Sequence, residues 1–386
     1  MFMGFGAAYA FGTFFHSLRD EFGATRQEIS LVFSLTAFLY FLLGALSGPL
    51  ADRIGPRRII AAGGVLVGMG LLLAAATQRL WQIYVSYGFG VGLGIGVSYV
   101  PAVGAVQRWF IRQRGLASGL AVSGIGCGSL LIPPIAATLI ATVGWRWAYV
   151  YLGVSVLLVM VTAAAVIERA PEARGLTPDG DPPRLDGGVT VAGGATRGEA
   201  LHSPRFWWLY LACFTTSVGL FIPFVHLVPY ATDHGISEFA AAFLLGAIGA
   251  GSTLGRLALG SVADRFGRRQ SLAGSFLLMA AMQLWWVMSA SMWSLLVFAL
   301  CFGTGYGGFV ALIPALTTDY FGVRQAGAII GVLYTGVGIG SLVGPTLAGI
   351  AFDLRQSYTL PILLSAGANL VAVFCMVILG KTRGKY

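Results

Sequence analysis

Charged residues are scarce in this sequence, and that scarcity limits the class of protein it can form. Asp, Glu, Lys and Arg make up 10% of its 386 residues, whereas 57% are hydrophobic. Ordinary soluble domains carry about 25% charged residues. A soluble protein of this length would need a polar surface that this sequence does not provide. The composition therefore predicts an integral membrane protein that contacts the lipid bilayer.

Cysteines are also few, and they lie far apart. The four of them lie in apolar segments without CxxC or Cys/His spacing, so we expect no disulfide framework and no metal site. The apolar runs carry no paired acids and no nucleophile–base constellation, and we expect neither enzyme activity nor a cofactor. The net charge is +9, but the basic residues form short clusters between apolar runs, which disfavours a nucleic-acid partner.

Apolar runs long enough to cross a bilayer, at about 20 residues each, recur along the chain. Charges and turn residues separate twelve of them, numbered here as spans 1 to 12. The predicted fold is an all-α membrane protein with twelve transmembrane helices in two six-helix bundles. The spans lie near residues 1–18, 29–51, 59–77, 81–106, 115–142, 145–167, 205–231, 239–263, 270–289, 292–318, 326–351 and 358–380.

One segment, residues 168–204, interrupts the series and is rich in Pro, Gly, Asp and Arg. A segment of this composition cannot bury a core. We interpret it as a flexible cytoplasmic linker that joins an N-terminal bundle, residues 1–167, to a C-terminal bundle, residues 205–386.

The two bundles repeat one another. GPLADRIGPRR begins at Gly48 and GSVADRFGRRQ at Gly260, and GIGCGSLLIPP from Gly124 matches GVGIGSLVGPT from Gly336 at the same spacing. Two matches at one spacing indicate duplication, and parallel six-helix repeats are a known transporter architecture. We therefore expect the bundles to be pseudo-symmetric.

Basic residues are concentrated in the loops after spans 2, 4, 6, 8 and 10 and at the C-terminus. Loops rich in Lys and Arg remain in the cytoplasm. This distribution predicts cytoplasmic N- and C-termini in a plasma membrane, such as a bacterial inner membrane.

These motifs resemble a known family. The repeated segments at Gly48 and Gly260, within twelve spans, resemble the major facilitator superfamily over essentially the whole chain. RWFIRQRGLASGLAVSGIGCG, residues 108–128, resembles the fifth-helix signature of monocarboxylate transporters and of the related oxalate/formate antiporters. Residues 203–237 resemble the seventh helix of both groups. The resemblance implies transport by alternating access between two bundles.

The sequence departs from the monocarboxylate transporters at two places. An acidic, glycine-rich and aromatic signature is usual at the start of the first helix in the animal proteins, and it is missing here. Those proteins also carry an aspartate one turn before the arginine of the eighth helix, where this chain has Ser252.

Arg256 lies in the apolar run of span 8, where a charge costs about 2.5–3.5 kcal/mol on insertion scales. Gly249, Ser252, Arg256 and Gly260 recur at three- and four-residue intervals and share one helix face. A guanidinium on that face can bind a carboxylate through its planar fork of donors, and the resemblance implies the same role. The alternative is an arginine held by backbone carbonyls, which fixes helix packing.

The charge of the substrate follows from a comparison with the antiporters. They carry a lysine in the eleventh helix where this chain has Gly336. One buried cation suits a monoanion and leaves a dianion half compensated. We therefore expect a lactate- or pyruvate-like monocarboxylate rather than oxalate.

Four tyrosines are candidates for the substrate site. Tyr9, Tyr99 and Tyr306 match cavity-lining aromatic residues of the antiporters, with Tyr306 where tryptophan is found; Tyr334 is a candidate by its location in span 11. A phenol can hydrogen-bond a hydroxy or keto acid while its ring packs against the alkyl part. The alternative for each tyrosine is a place in the interfacial aromatic belt.

His226 and Asp233, together with Arg256, are candidates for proton coupling. His226 and Asp233 lie seven residues apart on one face of span 7. His226 lies between Pro223 and Pro229, where a broken helix can open toward a cavity, and is also a substrate-binding candidate. The alternatives are a histidine that satisfies a carbonyl freed by proline, and an aspartate solvated at the end of its helix.

The repeated loops carry Asp52 with Arg53 and Asp264 with Arg265. The resemblance implies a gating role, in which these loops hold the bundles together while the inner gate is closed. The alternative is contact of the arginines with anionic lipid. The sequence as a whole predicts a monomeric, proton-coupled symporter of small monocarboxylates, and the alternative is a proton-independent carboxylate exchanger.

Overall fold

The computed structural model describes residues 1–110, 114–168, 171, 176–177, 194–322 and 324–381. The side chains of some residues within helices, Asp52 and Asp264 among them, also lie outside this description. The described chain consists of helices and one isolated bridge between Gly194 and Gly322. Nine of the described helices are long and apolar enough to cross a membrane.

The helices of the described residues trace twelve spans. One candidate, Leu120–Val166, contains two of them, because Gly144 breaks the helix with φ 83° and ψ 160°. Span 1 is interrupted at Ala10, and span 9 is the least apolar of the long described helices, so neither is counted among the nine. The helices are Phe2–Tyr9 with Phe11–Phe22, Arg26–Ile54, Pro56–Ala75, Leu80–Ile83 continued through Tyr84–Phe89 and Gly90–Trp109, Arg114–Val166 (spans 5 and 6), Pro204–Leu220 with Ile222–Asp233, Glu238–Phe266, Arg268–Val287, Met292–Phe321, Ala326–Arg355 and Thr359–Lys381.

Equivalent glycines end spans 2 and 8. Gly55 has φ 97° and ψ 141°, and Gly267 has φ 91° and ψ 140°. Glycine adopts positive φ without the steric cost of a Cβ atom. The two repeats therefore share a backbone turn as well as a sequence.

Each bundle packs its helices in the same pattern. Span 1 contacts span 5, span 2 contacts span 4, and span 3 contacts spans 4 and 6; spans 7 to 12 repeat these contacts. Glycines bring the backbones together: a Cβ atom on Gly251 or Gly255 would lie 2.1 Å from a carbonyl oxygen of span 10. Small residues at helix crossings allow this approach. The bundles meet along spans 2 and 11, spans 5 and 8, and spans 1 and 7.

The spans have two ends. We call the end beside Gly194 and helix Arg197–His202 the linker end, and the opposite end, beside residues 23–25 and 356–358, the distal end. At the distal end His16 Nε2 lies 2.8 Å from Thr232 Oγ1, and the backbone N–H of Gln27 donates to Asp353 at 2.9 Å. The bundles are therefore in contact at the distal end.

The end of the predicted linker is ordered. Thr196 and Glu199 form a reciprocal capping box at the start of helix Arg197–His202. The N–H of Ala195 donates to the carbonyl of Phe321 at 2.7 Å. The start of this segment thus contacts the linker end of span 10, whereas residues 169–170, 172–175 and 178–193 lie outside the described residues, and the flexibility of the linker stays a prediction. The bundle boundaries at residues 167 and 205 stay predictions.

Candidate functional site

Arg256 lies on the face of span 8 that contacts span 5. Its Nη1 donates to the carbonyl of Val122 in span 5 at 2.9 Å, and its Cζ lies 5.9 Å from the ring centre of Tyr306. Its Nε and Nη2 atoms are shielded and have no hydrogen-bond partner among the described residues. A guanidinium has five N–H donors, so one backbone carbonyl leaves most of this fork unused.

Arg256 lines a cavity of about 50 Å³ between the two bundles. All four tyrosines predicted for the site line the same cavity: Tyr9, Tyr99, Tyr306 and Tyr334. The hydroxyls of Tyr9 and Tyr306 lie 3.0 Å apart and join spans 1 and 10. The structure therefore brings together five of the residues that the sequence indicated, at one cavity between the two bundles.

Tyr40 of span 2 also lines the cavity, and sequence reasoning missed it. Its side chain is 5% exposed, and its hydroxyl lies beside that of Tyr9 without reaching hydrogen-bond geometry. The signal in the sequence was a phenol four residues before Gly44 in an apolar run, which places both residues on one helix face. The repeat gave a further signal: Tyr40 and Ser252 are equivalent positions of the two repeats, separated by the same number of residues as Gly48 and Gly260. Ser252 lies on the same face of span 8 as Arg256.

His226 is not among the described residues that line the cavity, and its contact with substrate stays a prediction. Span 7 breaks at Phe221, and the helix after the break turns His226 toward spans 2 and 11. There it is fully buried, with Nε2 2.9 Å from the carbonyl of Pro345 and Nδ1 3.1 Å from the hydroxyl of Tyr358. A carbonyl only accepts, so in the neutral imidazole Nε2 carries the proton and Nδ1 accepts from Tyr358.

Asp233 lies at the distal end, away from Arg256. Its carboxylate accepts from Arg26 Nη2 at 2.8 Å, and Arg26 Nη1 donates to Tyr358 at 2.6 Å. Arg256 lies 18 residues along span 8 from Glu238, or about 27 Å from the distal end of that helix. Asp233 is therefore neither a free solvated helix end nor a contact of Arg256, but part of a cross-bundle cluster formed by Arg26, His226, Asp233 and Tyr358.

The predicted gating residues lie at the linker ends of spans 2 and 8. The side chains of Arg53 and Arg265 are exposed. Those of Asp52 and Asp264 lie outside the described residues, so the gating role of these four residues stays a prediction.

Comparison with known proteins gives the same architecture. A model of the Major Facilitator Superfamily matches residues 1–261 and 217–385. The chain is 28% identical to Monocarboxylate transporter 11 of Homo sapiens, over 97% of this chain and 79% of that protein. It is 30% identical to MFS-type transporter pytF of Aspergillus terreus, over 69% of this chain and 86% of that protein. It is 27% identical to the uncharacterized MFS-type transporter YhjX of Escherichia coli, over 87% of this chain and 82% of that protein.

A solved structure has the same fold. It is a bacterial homolog of the human lysosomal transporter Spinster in an inward-facing and occupied conformation, with a TM-score of 0.76 and 15% identity over 99% of this chain and 95% of that one. The predicted all-α fold of twelve spans is confirmed, as is the expectation of a transporter rather than an enzyme. The chain belongs to the major facilitator superfamily, and within it to the proteins that resemble monocarboxylate transporters.

Proposed function

We propose that this protein transports small monocarboxylates by alternating access, in symport with a proton. The state of Arg256 carries the proposal: it lines a tyrosine-rich cavity, and two of its nitrogen atoms have no partner within the described chain. A shielded, uncompensated charge is costly. A carboxylate compensates it and offers two acceptor oxygens in the plane of the guanidinium.

The charges around the cavity support a monoanion. Among the described residues that line it, Arg256 is the one cation. A Cβ atom on Gly336 would lie 3.1 Å from the ring of Tyr210. The ring fills the space in which the antiporters carry their lysine, so a second cation has no room there unless Tyr210 moves.

The size of the cavity supports a small substrate. A water-sized group needs about 10–15 Å³ of such volume, so about 50 Å³ holds roughly three to five of them. Aromatic walls suit a short alkyl chain, and phenols suit a hydroxyl or keto oxygen. Lactate and pyruvate combine these features.

We propose Asp233 as the proton-coupling carboxylate, with His226 as its neighbour in the distal cluster. Protonation of Asp233 removes the charge that binds Arg26 across the bundles, and so weakens the distal contact. Uptake of an anion against a negative-inside potential costs about 2.3 kcal/mol per charge per 100 mV, and one co-transported proton cancels that cost.

A second candidate is proton-independent exchange of one carboxylate for another. It is favoured by the cavity lining, in which the described residues include no carboxylate and no imidazole. In this alternative the Arg26–Asp233 pair only stabilises the closed distal end, and a counter-substrate replaces the proton.

The cavity lies toward the linker end of the bundles. Gly44, Val100 and Ile313 line the cavity and belong to the halves of their spans nearer that end. The distal end is closed by contacts between the bundles. With the basic loops in the cytoplasm, we interpret this as an inward-facing state in the plasma membrane, a bacterial inner membrane, with both termini cytoplasmic.

Uptake of labelled lactate into proteoliposomes tests these alternatives. Symport predicts accumulation under an inward proton gradient, which collapses when the gradient is dissipated and in Arg256→Ala. Exchange predicts uptake that ignores the gradient and increases with internal carboxylate. If wild-type protein takes up no monocarboxylate, the proposal is wrong.

A further inference from the structure

Spans 1 and 7 are both broken beside the cavity. Span 1 stops at Tyr9 and resumes at Phe11, and span 7 stops at Leu220 and resumes at Ile222. Tyr9 and Phe221 are equivalent positions of the two repeats, since they are separated by the same number of residues as Gly48 and Gly260. Both residues line the cavity. The last turn of a helix leaves carbonyls without backbone donors, and such carbonyls are costly in a membrane unless another group satisfies them.

Gln283 supplies a donor at the break in span 7. In a continuous helix the carbonyl of Gly219 would accept from the N–H of residue 223, but Pro223 has none. The Nε2 of Gln283, in span 9, donates to this carbonyl at 3.2 Å. Gln283 is fully buried, so its side chain amide takes the place of the missing backbone donor.

Two further side chains fix the orientation of Gln283. Its Oε1 accepts from Nδ2 of Asn369 in span 12 at 2.9 Å, and Oδ1 of Asn369 accepts from the hydroxyl of Thr216 in span 7. All three side chains are fully buried. A buried network with satisfied members rigidifies its surroundings, and this one ties the last turn before the break to spans 9 and 12.

Tyr87 supplies a donor at the equivalent break in the N-terminal bundle, but from span 4 rather than from span 3, the counterpart of span 9. Its hydroxyl lies 3.2 Å from the carbonyl oxygens of both Ala7 and Ala8, in the last turn before the break in span 1. Tyr87 is fully buried and lies in the π-helical segment Tyr84–Phe89 of span 4. Each of the two broken helices thus accepts a hydrogen bond from a side chain of a neighbouring span.

We propose that Gln283 and Tyr87 are positioning residues for transport. They hold the breaks in the geometry that brings Phe221 and Tyr9 to the cavity, and that stacks Phe224 on Tyr9 with ring centres 4.5 Å apart. Neither side chain is among the described residues that line the cavity. The role rests on the proposed function of that cavity as the transport site.

The test combines Gln283→Met with Pro223→Ala. Methionine keeps the length of glutamine and removes its hydrogen-bonding groups. We expect the KM for lactate uptake to rise about tenfold, because small displacements of a site have effects of this order or larger. Tyr87→Phe is expected to raise KM in the same direction. Thr215→Val is the matched control, because among the described residues the hydroxyl of Thr215 bonds only carbonyls of its own helix. The KM of this variant should equal that of wild type.

The melting temperature separates positioning from general packing. Pro223→Ala restores an N–H for the Gly219 carbonyl, so Gln283→Met should lower the melting temperature less in that background than in wild type. The proposal would be overturned if Gln283→Met lowered the melting temperature equally in wild type and in Pro223→Ala. It would also be overturned if KM were unchanged in Gln283→Met and Tyr87→Phe. If Gln283→Met alone does not fold, recovery of folded protein by Pro223→Ala supports it, and failure to recover overturns it.

This comparison of backgrounds does not depend on the substrate. If wild-type protein takes up no monocarboxylate, the proposed function fails, while the two melting-temperature differences still decide whether Gln283 replaces the missing N–H of Pro223.

Discussion

The guanidinium of Arg26 lies 2.8 Å from the carboxylate of Asp233 and joins the two bundles across the distal end. The Arg26 side chain is 7% exposed, and its Cζ lies 3.8 Å from the ring centre of Phe352. The Asp233 side chain is 33% exposed. A shielded cation thus depends on a partly solvated anion from the other bundle, and the contact is sensitive to the charge of Asp233.

Asp233→Asn removes that charge and leaves Arg26 without its counter-ion. Because solvent reaches Asp233, we expect a loss of about 1–2 kcal/mol in the free energy of unfolding rather than the full cost of breaking a buried pair. Thermal unfolding measures the loss. The exchanged pair Arg26→Asp with Asp233→Arg should recover part of it, and no recovery would argue against a direct ion pair.

Arg256→Ala and Arg256→Lys should both impair uptake, and lysine should not restore it. Lysine keeps the charge but cannot offer the planar fork of donors. Loss of a hydrogen bond to a charged group costs about 1.5–3 kcal/mol, so we expect KM to rise at least about tenfold. The exposed Arg355 provides a control as Arg355→Ala, which should transport as wild type. Uptake by Arg256→Lys at wild-type KM would contradict a bidentate role.

Tyr40→Phe and Tyr306→Phe should change stability in opposite directions. The hydroxyl of Tyr40 has no partner in the described chain, so its removal should stabilise the substrate-free protein by about 1 kcal/mol. The hydroxyl of Tyr306 bonds Tyr9, so its removal breaks a buried hydrogen bond and should destabilise the protein. The two variants are compared by their melting temperatures without substrate. A decrease in both would show that the hydroxyl of Tyr40 has a hydrogen-bond partner.

The docked helix at the linker end should depend on pH. Hydrogen bonds from the backbone and side chain of Thr196 hold the pKa of Glu199 below its usual value. A carboxyl with a lowered pKa stabilises the fold above its unfolded pKa, and this contribution is lost as the pH falls through the folded pKa. A nitroxide at Gly198→Cys should therefore become more mobile in acid. In Glu199→Gln, which keeps the capping acceptor, the mobility of the nitroxide should not respond to pH. An equal response in both proteins would exclude Glu199 as the cause of the pH dependence.

The fold and the centre of the site could be predicted because their signals are local or repeated. Span lengths follow from the width of the bilayer, and two matches at one spacing revealed the duplication. Arg256 was conspicuous because an apolar run is a costly place for a charge. The tyrosines at positions 9, 99 and 306 came from the resemblance and Tyr334 from its location in span 11. Their meeting at one cavity came only from the structure.

The cross-bundle contacts could not be predicted from one sequence. Arg26 and Asp233 are 207 residues apart, and each alone resembles a charged residue at the end of a helix. The break in span 7 was foreseen from Pro223 and Pro229. The direction in which it turns His226 depends on packing against spans 2 and 11, and no periodicity encodes that packing.

The duplication also has a consequence for the chemistry of the cavity. The spacing that relates Gly48 to Gly260 relates Gly44 to Arg256, and both of these residues line the cavity. The two repeats thus have similar backbones but different charges at the cavity. The C-terminal repeat carries a guanidinium at the position where the N-terminal repeat carries only the hydrogen atom of a glycine. An anion that pairs with this guanidinium would therefore lie off the pseudo-symmetry axis, on the side of the C-terminal bundle. The broken symmetry gives the site a polarity that its two nearly equivalent halves would otherwise lack.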